Sequence, residues 1–238
     1  NSKNKGTAGK IKIKHLLSHT SGLPAIASKT NDTLIFIDKP EFEPGTNYRH
    51  SGVDYTLLSL IIEQVSGEDW QTFVQKNILE PSGMINTKIV NGNYKDKHRT
   101  QGYKNVKGKY SEYSHQSCDE KYALCNGSVW TSPSNLRKYV YAIKECVFLD
   151  CESLKTATQT YKSESWRSLR DQLQGFGWIV HEEKNNDTYV ECAGSGSGLS
   201  AQIILYPKQD IIIIWMSNND VSYSSLLLQK LRQRSYVK

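Results

Sequence analysis

The spacing of apolar residues predicts helices in the first part of the chain. Between residues 54 and 65, apolar side chains recur every three or four positions, which is typical of a helix with one buried face. Gly67 follows directly and is expected to end that helix. A second helix is predicted for residues 70–81, where Pro81 closes a similar pattern.

Two further segments carry signals for helix boundaries. Residues 13–17 begin a helical pattern that Gly22 and Pro24 interrupt soon afterwards. Ser132 is placed to cap a helix whose first residue is Pro133. The apolar face of that helix would carry Leu136, Tyr139, Val140 and Ile143.

The last third of the chain changes from a helical to a strand-like pattern. Short apolar runs rich in β-branched and aromatic residues predict strands, and residues 207–210 predict the turn that joins the last two of them. Asn219 or Asp220 is expected to cap a final helix. The strands are predicted at residues 176–180, 202–206 and 211–215, and the helix would carry Leu226, Leu227, Leu228 and Leu231.

These patterns suggest three regions. Residues 1–12 form a polar tail, and residues 13–174 form a mainly helical lobe. A Tyr/Lys-rich insertion near residues 91–122 is expected to be irregular. Residues 175–238 supply sheet strands and the C-terminal helix.

Composition excludes several functional classes. The formal net charge is +6, but the basic residues are scattered, so no nucleic-acid partner is expected. Tyrosines lie between the lysines of the insertion, and we favour a solvated surface there.

The longest apolar run, residues 211–216, is too short for a transmembrane segment. No C-x-x-C pair occurs, and the Gly/Ser run at 194–198 lacks the features of a phosphate loop. We therefore expect no cofactor and no metal site.

Five cysteines and three N-x-S/T sequons favour a secretory or extracellular compartment. The alternative is chance sequons with reduced thiols. Cys146 could pair with Cys151, and Cys118 and Cys125 bracket a short loop. The odd count leaves one thiol free or bonded to another chain. The sequons, which make the chain a possible glycoprotein, are at Asn31, Asn126 and Asn186.

A series of motifs in a fixed order carries the most specific information. Residues 13–24 have the sequence I-K-H-L-L-S-H-T-S-G-L-P, and the series continues to residues 175–178 with G-F-G-W. The segments between them are F-E-P-G-T-N-Y (42–48), Y-T-L-L-S-L-I-I-E-Q-V-S-G (55–67), I-L-E-P-S-G-M-I-N-T (78–87) and G-S-V-W-T-S-P-S-N-L (127–136).

This series resembles the serine β-lactamase and penicillin-binding-protein-like hydrolases, including class C β-lactamases and D-alanyl carboxypeptidases. The resemblance implies an α+β fold of the β-lactamase/transpeptidase type, an antiparallel sheet with flanking helices plus a helical lobe. It also implies a Ser nucleophile in an S-x-x-K motif upstream of residues 13–24. Upstream of residue 13, only Ser2-Lys3-Asn4-Lys5 fits that pattern. It lies in a polar tail, so we expect the nucleophile and the N-terminal part of the fold to lie outside this chain.

The family's Y-x-N motif is expected at His50, Ser51 and Gly52. Both defining residues differ. His50 is a candidate base in place of the family's Tyr, because imidazole titrates near neutrality. Gly52 lacks the side-chain amide that the family's Asn offers to a ligand. The alternative is a structural loop in which His50 has no chemical role.

The family's K-T-G or H-x-G strand is expected at Cys192, Ala193 and Gly194, followed by Ser195. In the family this strand lines the cleft and a backbone N–H helps to form the oxyanion hole. Gly194 keeps the close approach of backbone to ligand. Cys192 as a nucleophile is a further alternative, since thiolates attack carbonyls. The predicted ligand-binding residues are therefore Ser51, Gly52, Cys192, Ala193, Gly194 and Ser195.

Two functional interpretations remain open. In the first, the chain is a catalytically degenerate family member with a binding or structural role. In the second, it belongs to an active serine hydrolase of the β-lactamase, peptidase or esterase type, whose nucleophile lies on a separate N-terminal fragment. Both imply a partner, because the family's sheet needs strands from before residue 1. We expect the N-terminal fragment of the same protein or another chain to complete the sheet.

Overall fold

The structure, a computed structural model, describes residues 9–24, 40–90, 96–113, 129–161, 173–182 and 188–219. Its helices occupy the region where the apolar spacing predicted them, and α3 continues into a π-helical turn at Gln75–Leu79. The helices are α1 (Ile13–Leu17), α2 (Gly52–Ser66), α3 (Trp70–Val74), α4 (Pro133–Lys144) and α5 (Cys151–Thr158).

The predicted helix boundaries are confirmed where they rest on capping chemistry. Gly67 follows α2 with a φ of 73°, a left-handed conformation that favours glycine. The Ser132 side chain accepts a hydrogen bond from the Asn135 backbone N–H, and Pro133 is the first residue of α4. Asp69 caps α3 in the same way through the Thr72 backbone N–H, 3.0 Å away.

Five antiparallel strands form the main sheet, in the order β5-β6-β7-β8-β9. The neighbours β8 and β9 are joined by the predicted turn at residues 207–210, and Ile203 pairs with Ile214 across them. The strands are β5 (Leu173–Gln174), β6 (Ile179–Glu182), β7 (Thr188–Gly196), β8 (Leu199–Tyr206) and β9 (Ile211–Ser217).

The strand predicted at residues 176–180 is wrong in its first half. Residues 176–178 form the turn between β5 and β6, and β6 begins only at Ile179. The Gly175 backbone N–H donates to the Trp178 carbonyl (2.8 Å), which closes the turn. Gly177 has a φ of 81°, which side-chain-bearing residues rarely adopt.

The insertion predicted to be irregular contains regular structure. A hairpin forms from β2 (Tyr103–Val106) and β3 (Lys109–Glu112), and β1 (Lys88–Ile89) pairs with β4 (Val129–Trp130). Lys107 and Gly108 have φ values of 53° and 82°, the primed turn geometry that suits two-residue hairpin loops. Both faces of the hairpin are exposed to solvent, so its sequence lacks the alternation of apolar and polar residues that predicts a strand. The hairpin was therefore not predicted from the sequence.

Apolar clusters lie on both faces of the sheet. On one face Val180, Val190 and Ile203 pack against Val140 of α4. On the other face Ile204, which is fully buried, packs with Tyr189 and Tyr206. A third cluster joins α1 to α2 through Leu16, Leu23 and Val53. Helices packed on an antiparallel sheet, with a helical cluster beside it, confirm the predicted α+β class.

One carbonyl joins the helical segments to the sheet. The carbonyl of Leu17, at the end of α1, accepts from the Tyr55 hydroxyl of α2 (3.2 Å) and from the Gly177 backbone N–H (3.1 Å). Next to it, the Phe176 backbone N–H donates to the Ala157 carbonyl of α5 (2.8 Å). The β5–β6 turn is therefore held against three helices.

The cysteine pair predicted at residues 146 and 151 is present as a disulfide between the end of α4 and the start of α5.

No helix in the described part of the chain is long and apolar enough to span a bilayer. Across the ranges given above, no group of three or more His, Cys, Asp or Glu side chains could hold a metal ion. Outside the described residues lie Asp220, the leucines of the predicted final helix, Cys118, Cys125 and the sequons at Asn31, Asn126 and Asn186.

Candidate functional site

A buried cluster of polar side chains supports the loop that carries His50. Asp54, in the first turns of α2, is fully buried. Its Oδ1 accepts from the Ser21 hydroxyl at 2.5 Å, and its Oδ2 lies 3.1 Å from Nδ1 of His19. Burial raises the pKa of Asp54, while the hydrogen bonds from His19 and Ser21 act in the opposite direction. The cluster fastens the loop after α1 to the N-terminal end of α2.

The sequence interpretation assigned no role to His19, Ser21 or Asp54. The signal that could have found them is the run of polar residues in the otherwise apolar motif at residues 13–24. Ser18, Thr20 and Ser21 are all buried, and buried polar groups require hydrogen-bonding partners. Asp54 is the acidic residue in the first turn of the next helix.

His50 lies on the exposed side of this cluster. Its ring stands over the His19 ring, with centroids 4.6 Å apart and planes at 43°. The protein around the ring lowers the pKa of His50, the neighbouring His19 lowers it further, and Asp54 acts in the opposite direction. The imidazole is therefore neutral near pH 7, which leaves a ring nitrogen able to accept a proton.

Ser51 and Gly52, the other residues predicted from the Y-x-N position, begin α2. The Ser51 hydroxyl is buried and donates to the Pro24 carbonyl (2.6 Å). Gly52 is the first helical residue, and its carbonyl accepts from the Thr56 hydroxyl (3.1 Å). A ligand-binding role for both residues stays a prediction, and the Ser51 hydroxyl already has a structural partner.

The segment predicted from the K-T-G position forms one end of β7. Cys192, Ala193, Gly194 and Ser195 are all exposed and pair with β8 on one side only. On the other side, the pairing of β6 with β7 stops at Glu191. Among the described strands, residues 192–196 therefore present a free backbone edge, and a Cβ added at Gly194 would meet no atom within 4 Å.

Cys192 is a free, exposed cysteine on β7. Burial raises the pKa of the Cys192 thiol, and the charge of Glu191 raises it further. Tyr139 of α4 lies on the same side, where burial and the nearby Cys192 raise the pKa of the phenol to about 12. Both groups are neutral at pH 7.

We expect Cys192 to react slowly with iodoacetamide at pH 7.5 despite its exposure, because only the thiolate is nucleophilic. Its alkylation rate should be several-fold below that of free cysteine and should continue to rise at pH values where free cysteine has reached its plateau. Peptide mapping by mass spectrometry separates Cys192 from the other thiols. A rate equal to or above that of free cysteine at pH 7.5 would contradict this expectation and would favour a nucleophilic Cys192.

The turn after this segment is fixed by close backbone packing. Gly198 has a φ of 71°, and a Cβ on it would lie 2.6 Å from the Tyr103 backbone nitrogen. A Cβ on Gly102 would lie 2.0 Å from the Ser197 carbonyl oxygen. Glycine is required at both positions, and the hairpin base and the β7–β8 turn therefore fit together without side chains between them.

The structure thus groups the predicted site residues into two sets. His50, Ser51 and Gly52 surround the His19–Asp54 cluster, and Cys192, Ala193, Gly194 and Ser195 share the open edge of β7. Tyr55 lies beside the first set: its ring is 5.0 Å from that of His19, and its hydroxyl donates to the Leu17 carbonyl at the end of α1. Their convergence around one ligand stays a prediction.

Comparison with curated proteins shows two groups of relatives with similar coverage. Penicillin-binding protein 4* of Bacillus subtilis (strain 168) is 26% identical over 250 residues, covering 92% of this chain and 54% of that protein. Protein flp of Staphylococcus aureus (strain COL) is 26% identical over 243 residues, covering 93% of this chain and 46% of that protein. The chain spans about half the length of these relatives.

Solved structures share the fold at lower identity. A class C β-lactamase superposes with a TM-score of 0.76 and 18% identity, covering all of this chain and 72% of that one. A penicillin-binding protein from Bacillus halodurans gives 0.73 and 16%, covering 98% of this chain and 77% of that one. The Beta-lactamase family model matches residues 2–238. Because this match runs through the helical segments, the His50 loop and every strand of the sheet, the chain belongs to the β-lactamase family.

Proposed function

We propose that this chain binds a ligand along the open edge of β7 and that the protein hydrolyses β-lactams and related peptides poorly or not at all. The observation that carries the proposal is the exposed, one-sided pairing of residues 192–196. A free strand edge with small side chains offers backbone N–H and C=O groups to an extended, amide-containing ligand. Gly194 leaves room for the ligand to approach the backbone closely.

The expected loss of hydrolysis follows from three substitutions. Cys192 is neutral where the family's cation binds a substrate carboxylate, so that charge-assisted contact is absent. Gly52 offers no amide, and its position at the start of α2 places only backbone there. His50 replaces the Tyr that moves the proton in the family, which changes both the reach and the pKa of that group.

The proposal includes a partner segment at β9. All seven residues of β9 are half-buried, and among the described strands β9 pairs only with β8. An edge strand of four isoleucines, a tryptophan and a methionine is a template for further pairing. A strand from the N-terminal part of the same protein, or from another chain, would complete the sheet at this edge.

The test uses the complete protein and an active class C β-lactamase side by side. We expect nitrocefin turnover at least roughly 10²-fold below that of the active enzyme, because proton transfer by a positioned group contributes about that much or more. We also expect no stable labelling by a fluorescent penicillin. Turnover or labelling comparable with the control would contradict the loss of hydrolysis.

Ligand binding has its own test in Gly194→Val. The added side chain points into open space, so the melting temperature should change little, while a ligand at the edge should be excluded. Binding of a D-Ala-D-Ala-terminated peptide, measured by calorimetry, should fall at least tenfold in this variant. The control variant is Ile85→Ala, which changes an exposed side chain outside β7. A glycine-to-valine control at Gly83 is unsuitable, because the positive φ of Gly83 would strain the backbone of the variant. Equal binding by both variants would exclude the β7 edge.

His50 favours the alternative of an active serine hydrolase. Its neutral imidazole, exposed beside His19, is suited to accept a proton from a nucleophile supplied by another segment. In that case, hydrolysis of an ester or amide would decline as pH falls through the titration of His50, and His50→Gln would abolish this pH dependence. Absence of any esterase or amidase activity in the complete protein would remove the alternative.

A further inference from the structure

The hairpin of β2 and β3, residues 103–112, is held in a defined conformation by its own hydrogen bonds. Asn105 pairs with Tyr110 and Val106 pairs with Lys109 across the two strands. At the tip, the Asn105 side chain accepts from the Gly108 backbone N–H (2.9 Å), which closes the turn. Side-chain and backbone hydrogen bonds together give the tip a defined shape.

The base of this hairpin is attached to the main sheet. The Tyr103 backbone N–H donates to the Asn218 carbonyl just after β9 (2.9 Å), and the Tyr113 N–H donates to the Gly102 carbonyl (2.8 Å). Gly102 packs directly against the β7–β8 turn at Ser197. The hairpin tip therefore keeps a fixed position relative to the sheet.

Three lysines surround the tip. Lys104, Lys107 and Lys109 are exposed, and none of them forms an ion pair within the described part of the chain. The single acidic residue of the hairpin, Glu112, lies at the base opposite Tyr103. The hairpin therefore carries three lysines that have no ion-pair partner among the described residues.

Two large apolar side chains of the hairpin are exposed, one on each of its faces. Val106 is 56% exposed and lies opposite Lys109, and Tyr110 is 60% exposed and lies on the other face. Exposing apolar side chains to water is unfavourable, and two of them are exposed on this short, otherwise polar hairpin. Val106 shares its face with Lys104 and Lys109, and this combination matches a membrane interface, where apolar groups enter the headgroup region and lysines stay at the surface.

We propose that the tip of the hairpin docks on a lipid surface that carries anionic headgroups. A nucleic acid fits less well, because single-strand binding surfaces use several aromatic rings along a cationic groove. Here one tyrosine and one valine protrude from opposite faces of a narrow tip. Docking through the tip would bring the β7–β8 turn, and with it the open edge of β7, close to the membrane.

The experiment measures co-sedimentation of the complete protein with vesicles of phosphatidylcholine, with and without phosphatidylserine. We expect binding only to the phosphatidylserine vesicles, weakening as salt rises. Replacing Lys104, Lys107 and Lys109 together with glutamine should weaken binding about 10²-fold, since each lysine near an anionic surface contributes roughly fivefold. Val106→Ser should weaken binding while leaving its salt dependence unchanged.

A matched triple variant controls for net charge. Lys88→Gln, Lys155→Gln and Lys208→Gln remove the same charge away from the hairpin and should leave vesicle binding nearly unchanged. Failure of the wild-type protein to bind phosphatidylserine vesicles would overturn the proposal, as would equal losses in the two triple variants. Tighter binding of a single-stranded oligonucleotide than of the vesicles would also overturn it, in favour of a nucleic-acid surface. All the substituted hairpin side chains are exposed, and thermal melting verifies that each variant is folded.

Discussion

Replacing Asp54 with alanine should lower the free energy of unfolding by about 2–6 kcal/mol, because it leaves two hydrogen-bonding partners unsatisfied and each such loss costs roughly 1–3 kcal/mol. Alanine leaves the Ser21 hydroxyl without its acceptor and the His19 ring without its hydrogen-bonding partner, at a position where the Asp54 side chain is fully buried. The loop after α1 and the start of α2 would lose their shared anchor. Urea denaturation followed by circular dichroism measures the change.

Asp54→Asn is the matched control, because it keeps the shape and removes the charge. Its amide oxygen can accept from Ser21, and its NH2 group can donate to His19, so the loss should be small. Since burial raises the pKa of Asp54, the folded state holds its proton more tightly than the unfolded state does. Stability should therefore fall as pH rises from the ordinary carboxyl pKa through the raised value.

In Asp54→Asn, that part of the pH dependence should disappear. A flat wild-type profile in this range, or equal losses in the alanine and asparagine variants, would show that burial of the carboxylate does not govern the stability of the cluster. The comparison needs only denaturation midpoints at several pH values for three proteins.

Local chemistry explains which structural elements could be predicted from the sequence. The end of α2 at Gly67 and the start of α4 at Ser132 depend on neighbouring residues, and both predictions are confirmed. The pairing of Asp54 with His19 depends on which loop packs against the start of α2. No pattern of local spacing encodes such a contact, and so the cluster was missed.

Replacing Ile204 with alanine should lower the free energy of unfolding by about 2–5 kcal/mol, the range for removing a large aliphatic side chain from a core. Ile204 is completely buried in the middle of β8 and packs with Tyr189 and Tyr206. These ring-bearing neighbours lie on strands and cannot easily move into the space left by the substitution.

Ile85→Ala removes the same atoms from a side chain that is 78% exposed, and it should change the free energy by less than about 0.5 kcal/mol. Chemical denaturation of the two variants under one set of conditions provides the comparison. Similar losses at both positions would mean that the core on this face of the sheet is not the one described here.

The site residues show a different limit of sequence interpretation. Alignment with the family's motifs placed Cys192 and Gly194 on a strand, and both lie on β7. It did not give the direction of the Ser51 side chain, whose hydroxyl bonds to the Pro24 carbonyl. A motif position fixes where the backbone runs, whereas side-chain partners depend on segments that are distant in sequence.

The carbonyl of Leu17 has a consequence for the order of folding. It accepts from Tyr55 and from Gly177, so both of its lone pairs are occupied by partners from later parts of the chain. Helices and hairpins close from nearby residues, whereas a contact between Leu17 and Gly177 must first close a very long loop, at an entropic cost that slows its formation. We therefore expect the end of α1, in the middle of the motif at residues 13–24, to be among the last places to acquire its native contacts.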